Sequence, residues 1–153
     1  MCIVSEKKFH KYLDTNKYNM QQIELIGDAM QAGFTEEEIA IVANPQFHWE
    51  QMREVIRGFL AGLSIAQVKQ YARTCYNARQ MYQIYLAMMA GFSQTKLNLL
   101  LNDRFDAAQM SVIRLAFLSG LLVQDVKQFA NPILSADGMQ SYRIQLEHER
   151  YIT

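Results

Sequence analysis

The feature that most constrains this chain is a 29-residue period. Ile23, Met52, Met81, Met110 and Met139 stand 29 residues apart without a gap. Three residues after each come Ile26, Val55, Ile84, Ile113 and Tyr142, and seven after come Met30, Phe59, Met88, Phe117 and Leu146. Offsets of 0, 3 and 7 fall on one face of an α-helix. At offset 6, Ala29, Gly58, Ala87 and Ala116 leave room for a second helix to approach. Self-similarity at such a period is the signature of repeats that bury their apolar faces against one another.

The helix ends are marked too. Asn19, His48, Asn77, Asp106 and Ser135 precede the helices, and four of these five are good N-caps. Gln22, Gln51, Gln80 and Gln109 follow three residues later at capping-box spacing. Tyr18, Phe47, Tyr76, Phe105 and Leu134 stand just before the caps as hydrophobic staples. Gly33, Gly62, Gly91 and Gly120 close each helix in the left-handed conformation. A shorter helix follows: Phe34, Leu63, Phe92 and Leu121 precede Thr35, Ser64, Ser93 and the poorer cap Leu122, and Ile39, Val68, Leu97 and Val126 stand five residues after those apolar anchors, so the staple geometry recurs. It is expected to end near Val42-Ala43, Tyr71-Ala72, Leu100-Leu101 and Phe129-Ala130, with Asn44-Pro45 and Asn131-Pro132 as breakers.

The expected fold is all-α, a short α-solenoid of 29-residue helix–turn–helix repeats with about ten helices. It is read as a single domain over 1–153: an N-terminal half-repeat cap at 1–18, full repeats at 19–47, 48–76, 77–105 and 106–134, and a C-terminal half-repeat cap at 135–153. Residues 5–13, with Phe9, Tyr12 and Leu13 apolar, are the expected short helix of the first half-repeat.

The unit reads as Phe/Tyr, cap, two variable residues, Gln-Met, then Ile-Arg, Gly-Leu and Tyr-Ala-Asn-Pro. The runs Asn44–Gly58 and Phe105–Arg114 carry it best. It resembles the tandem helical repeats of uncharacterised proteins from gut Firmicutes, often in phage or mobile-element settings. The likeness covers about residues 18–146. It implies a helical-repeat fold and a bacterial or phage source, and brings no catalytic residues with it. Leu100-Leu101-Asn102-Asp103 replaces Tyr-Ala-Asn-Pro, so the resemblance does not fix the geometry of that loop. The tetratricopeptide and ankyrin patterns fit neither the period nor the signature.

Half the chain is apolar and a fifth charged, which suits a packed core rather than a disordered tail. Cys2 and Cys75 are too few for a disulfide framework, so a reducing cytoplasm is expected. No apolar run nears the ~20 residues of a membrane span, and the N-terminus lacks the order of a signal peptide. Formal charge is zero but uneven. Residues 19–50 hold six acids (Glu24, Asp28, Glu36, Glu37, Glu38, Glu50) and no Lys or Arg; residues 51–80 hold five bases (Arg53, Arg57, Lys69, Arg73, Arg79) against Glu54 alone. A net −6 stretch thus adjoins a net +4 stretch. A strongly basic nucleic-acid protein looks different; this is a dipolar surface.

His10, His48 and His148 stand at no metal-ligand spacing, and His48 sits at a cap. Cys75 has no marked base or oxyanion partner. Glu36, Glu37 and Glu38 open a helix after Thr35, where acids complement the dipole. The repeated Gln is read as a cap and the Met stripe as core; there is no glycine-rich phosphate loop. No catalytic residue, metal site or cofactor is expected. The expected partner-binding residues are Trp49, Arg53, Arg57, Lys69, Arg73, Arg79, Tyr82 and Tyr85, because Arg, Tyr and Trp anchor interfaces and the cations suit an acidic surface or a phosphate backbone. The functional expectation is a non-enzymatic protein-interaction module: an inhibitor or adaptor, for example a counter-defence protein blocking a bacterial nuclease or its nucleoprotein complex, with no membrane partner. The alternatives are nucleic-acid binding through Arg53–Arg79, self-association, and, last, an enzyme.

Overall fold

The computed structural model describes residues 10–152. Over these residues the chain is all-α. A 3-10 turn at His10–Tyr12 is followed by nine α-helices: α1 (Met20–Gln31), α2 (Glu36–Val42), α3 (Trp49–Leu60), α4 (Ile65–Tyr71), α5 (Ala78–Met89), α6 (Gln94–Leu100), α7 (Ala107–Leu118), α8 (Val123–Val126) and α9 (Ala136–Ile152). Long helices of 12 residues alternate with short ones of 7 until α8. Of the half-repeat expected at 5–13, residues 5–9 lie outside the described residues. Tyr12 is buried, its ring set edge-on to Tyr18 at 6.3 Å, and Leu13 is exposed.

The local signals act as the sequence implies. Gly33, Gly62, Gly91 and Gly120 have φ between 77° and 95°. The N–H of each donates three residues back and that of the next residue five back, as in Gly33 to Met30 (3.1 Å) and Phe34 to Ala29 (3.2 Å). These paired bonds satisfy carbonyls that a helix end leaves orphaned. Asn19, Asn77 and Asp106 each accept from the backbone N–H of the Gln three residues on, and that Gln returns a bond to the cap N–H. His48 makes no side-chain cap bond, although Gln51 Oε1 still accepts from its N–H at 2.7 Å.

The Gln has a second task. Gln22 Nε2 donates to the Phe47 carbonyl at 2.6 Å, Gln51 Nε2 to that of Tyr76 at 2.6 Å and Gln109 Nε2 to that of Leu134 at 2.6 Å. Each ties one repeat to the loop that opens the next. In α9 the position is Gly138, which carries no amide.

The loop at Leu100–Asp103, whose geometry the sequence leaves open, does not depart from the others. Each such loop begins with an N–H bonded to the carbonyl two residues back: Asn44 to Val42 (2.9 Å), Arg73 to Tyr71 (2.7 Å), Asn102 to Leu100 (2.8 Å) and Asn131 to Phe129 (2.8 Å). The central residues Ala43, Ala72 and Leu101 have φ of −82°, −73° and −77° with ψ of 51°, 65° and 62°. That is the inverse γ-turn. Asn44, Asn102 and Asn131 then accept on Oδ1 from the N–H two residues on, which supports three of the four loops; the Arg73 loop makes the same turn with neither Asn nor Pro. One expectation is corrected: α8 stops at Val126 rather than near Ala130. Gln128 and Phe129 donate three residues back, to Asp125 and Val126 (both 3.1 Å), which tightens the last turn.

The chain forms two compact units that divide between Met81 and Tyr82. In the first, α1 packs on α3 and α2, and α3 also packs on α2 and α4. Ile26, Ile39, Phe47, Met52 and Tyr71 are fully buried there. Tyr71 Oη donates to the Glu54 carbonyl at 3.2 Å, directly where a side chain on Gly58 would stand. Tyr18 Oη donates to the Ala43 carbonyl at 3.0 Å; burial pushes its phenol up, and neighbouring Tyr12 adds to the rise. In the second unit, α7 packs on α6, α8 and α9 around Ile84, Leu100, Met110, Ile113, Phe129 and Met139. Each such side chain is worth about 1.5–3 kcal/mol of burial. The edge-on pair Phe34–Phe59 (5.7 Å) in the first unit recurs two repeats on as Phe92–Phe117 (5.6 Å) in the second. Arg150 closes the second unit on Asp125.

Candidate interaction surface

Taking the Met-type residue of each repeat as position 0, on α1, α3, α5 and α7 the residues at 0, 3, 6 and 7 face inward and those at 1, 5 and 8 face outward; on the last helix, α9, Tyr142 at position 3 is also exposed. In the first unit positions 1 and 5 are charged, Glu24 and Asp28 on α1 and Arg53 and Arg57 on α3, while position 8 is Gln31 or the exposed Leu60. In the second unit several of the outward positions turn apolar. Tyr82 and Met89 on α5, Leu115 and Leu118 on α7 and Ile144 on α9 are all exposed, Leu118 and Ile144 by 54% each. Helix α7 is therefore apolar on two faces, one packed and one open to water. A soluble helix ordinarily keeps its outward face polar, and clustered exposed apolar side chains mark contact sites.

The partner-binding residues expected from the sequence fall into separate groups. Trp49 is the first residue of α3 and half-buried, with the Arg53 guanidinium 5.6 Å from its ring centroid. This cation–π contact aligns both side chains along one helix edge. Arg57 is drawn aside by Glu54, its Nε 2.9 Å from the carboxylate. Lys69 sits in the last turn of α4, where a cation complements the dipole. Arg73 lies in the loop after α4 and Arg79 in the first turn of α5; both are exposed. Tyr82 and Tyr85 stack with ring centroids 6.0 Å apart and planes at 21°. Arg114 Nε donates to Gln83 Oε1 at 3.0 Å, joining α7 to α5 beside those rings. Met89, Leu115, Leu118 and Ile144 escaped sequence reasoning, although the signal was present: apolar residues at outward positions of a period whose inward positions were already filled.

Other chemistry is sparse. An open cleft of about 490 Å³ at the start of α3 is lined by His48, Glu50, Thr74 and Cys75, among others. His48 Nδ1 lies 3.7 Å from the Glu50 carboxylate, both side chains largely in solvent. Glu38 closes a capping box with Thr35, its Oε1 accepting from the Thr35 N–H at 3.0 Å, which accounts for one member of the acidic triplet. Among the described residues no three His, Cys, Asp or Glu side chains gather where they could hold a metal ion, and no helix is long and apolar enough to cross a membrane. No protein-family model matches the chain, and neither a curated protein nor a solved structure does.

Proposed function

We propose that the chain is a non-enzymatic protein-interaction module and that the outward apolar face of its second unit is a contact surface for a protein partner. The observation that carries this reading is helix α7, whose Leu115 and Leu118 stand in water on the face opposite Met110, Ile113 and Phe117. The frame supports it. Capping, latching and core residues recur from repeat to repeat, while positions 1, 5 and 8 change chemistry freely. Stacking of equivalent helices, as α1 on α3 and α7 on α9, is the packing from which solenoids are made, and a solenoid uses such variable positions for recognition.

In its most concrete form the module is an inhibitor or adaptor from a phage or mobile element, and its partner a bacterial nuclease; that step follows the repeat resemblance alone. A second reading, nucleic-acid binding, draws on the exposed Arg53, Lys69, Arg73 and Arg79. Against it, Glu24 and Asp28 stand at the outward positions of the neighbouring α1. Capture from a Firmicute lysate by the tagged chain, with and without nuclease digestion, separates the two. A protein recovered in both arms supports a protein partner. Recovery that vanishes on digestion, with steep loss of binding as salt rises, supports nucleic acid and overturns the first reading.

A further inference from the structure

The first unit carries a different pattern, independent of the partner face on the second. Helices α1 and α3 pack against each other. At equal repeat positions one presents Glu24 and Asp28 and the other Arg53 and Arg57, so a column of two acids lies beside a column of two bases. Apolar side chains flank both: Met20 is 74% and Leu60 65% exposed, and Trp49 is half-buried under Arg53. Arg57 is already held by Glu54, which makes Arg53 the cation that matters most.

Such a face is its own complement. Under a two-fold axis lying in the plane of this face, parallel to the two columns and midway between them, the acidic column of one copy meets the basic column of the other, and the reverse contact forms at the same time. Every Glu24–Arg53 contact is then made twice. The formal charge of the whole chain is zero at pH 7, so copies approach without net repulsion. A phosphate backbone or a uniformly acidic protein laid across both helices would meet Glu24 and Asp28. We propose that the α1–α3 face binds a second copy of this chain, forming a closed, charge-paired dimer.

Sedimentation velocity of the full chain tests this at about 0.05 M and about 0.5 M ionic strength, where screening of exposed charges differs severalfold in range. A dimer is expected at low salt that dissociates at high salt. Arg53→Glu alone and Glu24→Arg alone should each weaken it more than about tenfold, since each sets like charges opposite each other. An equimolar mixture of the two variants, and the double variant in one chain, should each restore it, because every contact again joins opposite charges. That recovery also excludes misfolding. A monomer at about 0.1 mM, where a micromolar pair would be formed, overturns the proposal. So does a dimer that neither substitution weakens, which would place the interface on another face, or one that the charge swap fails to restore. Leu118→Asp should leave the dimer intact, so failure here and failure of the partner reading are told apart.

Discussion

The side-chain amide of Gln22 donates to the main-chain carbonyl of Phe47, twenty-five residues on, at 2.6 Å, while its oxygen accepts from the Asn19 N–H at 2.8 Å. One side chain thus caps its own helix and fastens the next repeat. Gln22 and Gln109 are both buried, and each also reaches a second carbonyl, Pro45 at 3.3 Å and Pro132 at 3.1 Å. Removing the amide leaves carbonyls unpaired, which costs about 1–3 kcal/mol per site. Gln22→Ala and Gln109→Ala should each lower the midpoint of urea unfolding by that order. Gln22→Glu, which keeps the capping oxygen and loses the donor, should cost nearly as much; a neutral result would show that the latch is idle.

Gly58 is fixed by Tyr71. A Cβ there would stand 2.0 Å from Tyr71 Oη and 3.1 Å from Val68 Cγ2, and Tyr71 is fully buried. Gly58→Ala should destabilise by about 1–3 kcal/mol through overpacking. Adding Tyr71→Phe removes the worst contact and should recover part of that loss. A double-mutant cycle on thermal unfolding reads the coupling, and strict additivity would contradict the packing described.

His48 is the weak cap of the series. Asn19, Asn77 and Asp106 accept from the N–H of the following Gln and His48 does not. His48→Asn should raise stability by about 0.5–2 kcal/mol, measured as a higher melting temperature. A lower one would mean that His48 serves in the fold as more than a cap.

Tyr18 sets an alkaline limit. Its phenol is raised above the ordinary value of 10.0 by burial, with Tyr12 adding to the rise. Its contribution is whole below the unfolded value; above it the unfolded chain loses the proton first, and stability falls as pH climbs through the folded value. Tyr18→Phe loses the bond to Ala43 and about 0.5–1.5 kcal/mol at neutral pH, yet its stability should fall less between about pH 9 and pH 11. Equal slopes in urea unfolding across that range would contradict the assignment.

Most of the fold is legible in the sequence because local and tertiary signals coincide. The cap at Asn19, the glycine at Gly33 and the stripe Ile26–Met30 all name the same helix. What escapes is whatever depends on a neighbour. The latch needs the Phe47 carbonyl, which comes within reach of Gln22 only when the next repeat is in place. Asn102 makes the same turn as Asn44 without a proline, so the composition of that loop leaves its geometry open. The Arg53–Arg79 set reads as one patch along the chain, yet Glu54 claims Arg57 while Arg53 lies along Trp49 and stays exposed. Leu115 and Leu118 pass unremarked in the sequence because the repeat pattern draws attention to the inward face of α7; their exposure emerges only once that face is packed.

The apolar outward face of the second unit is the proposed contact surface for a protein. The most direct measurement compares nuclease-treated capture by three baits: the native chain, Leu115→Asp/Leu118→Asp, and Arg53→Ala/Arg73→Ala, each verified as folded by circular dichroism. A partner retained by the native and arginine-substituted chains and lost by the leucine-substituted one is the expected result. A partner kept by the leucine variant, or lost only by the arginine variant, would contradict it.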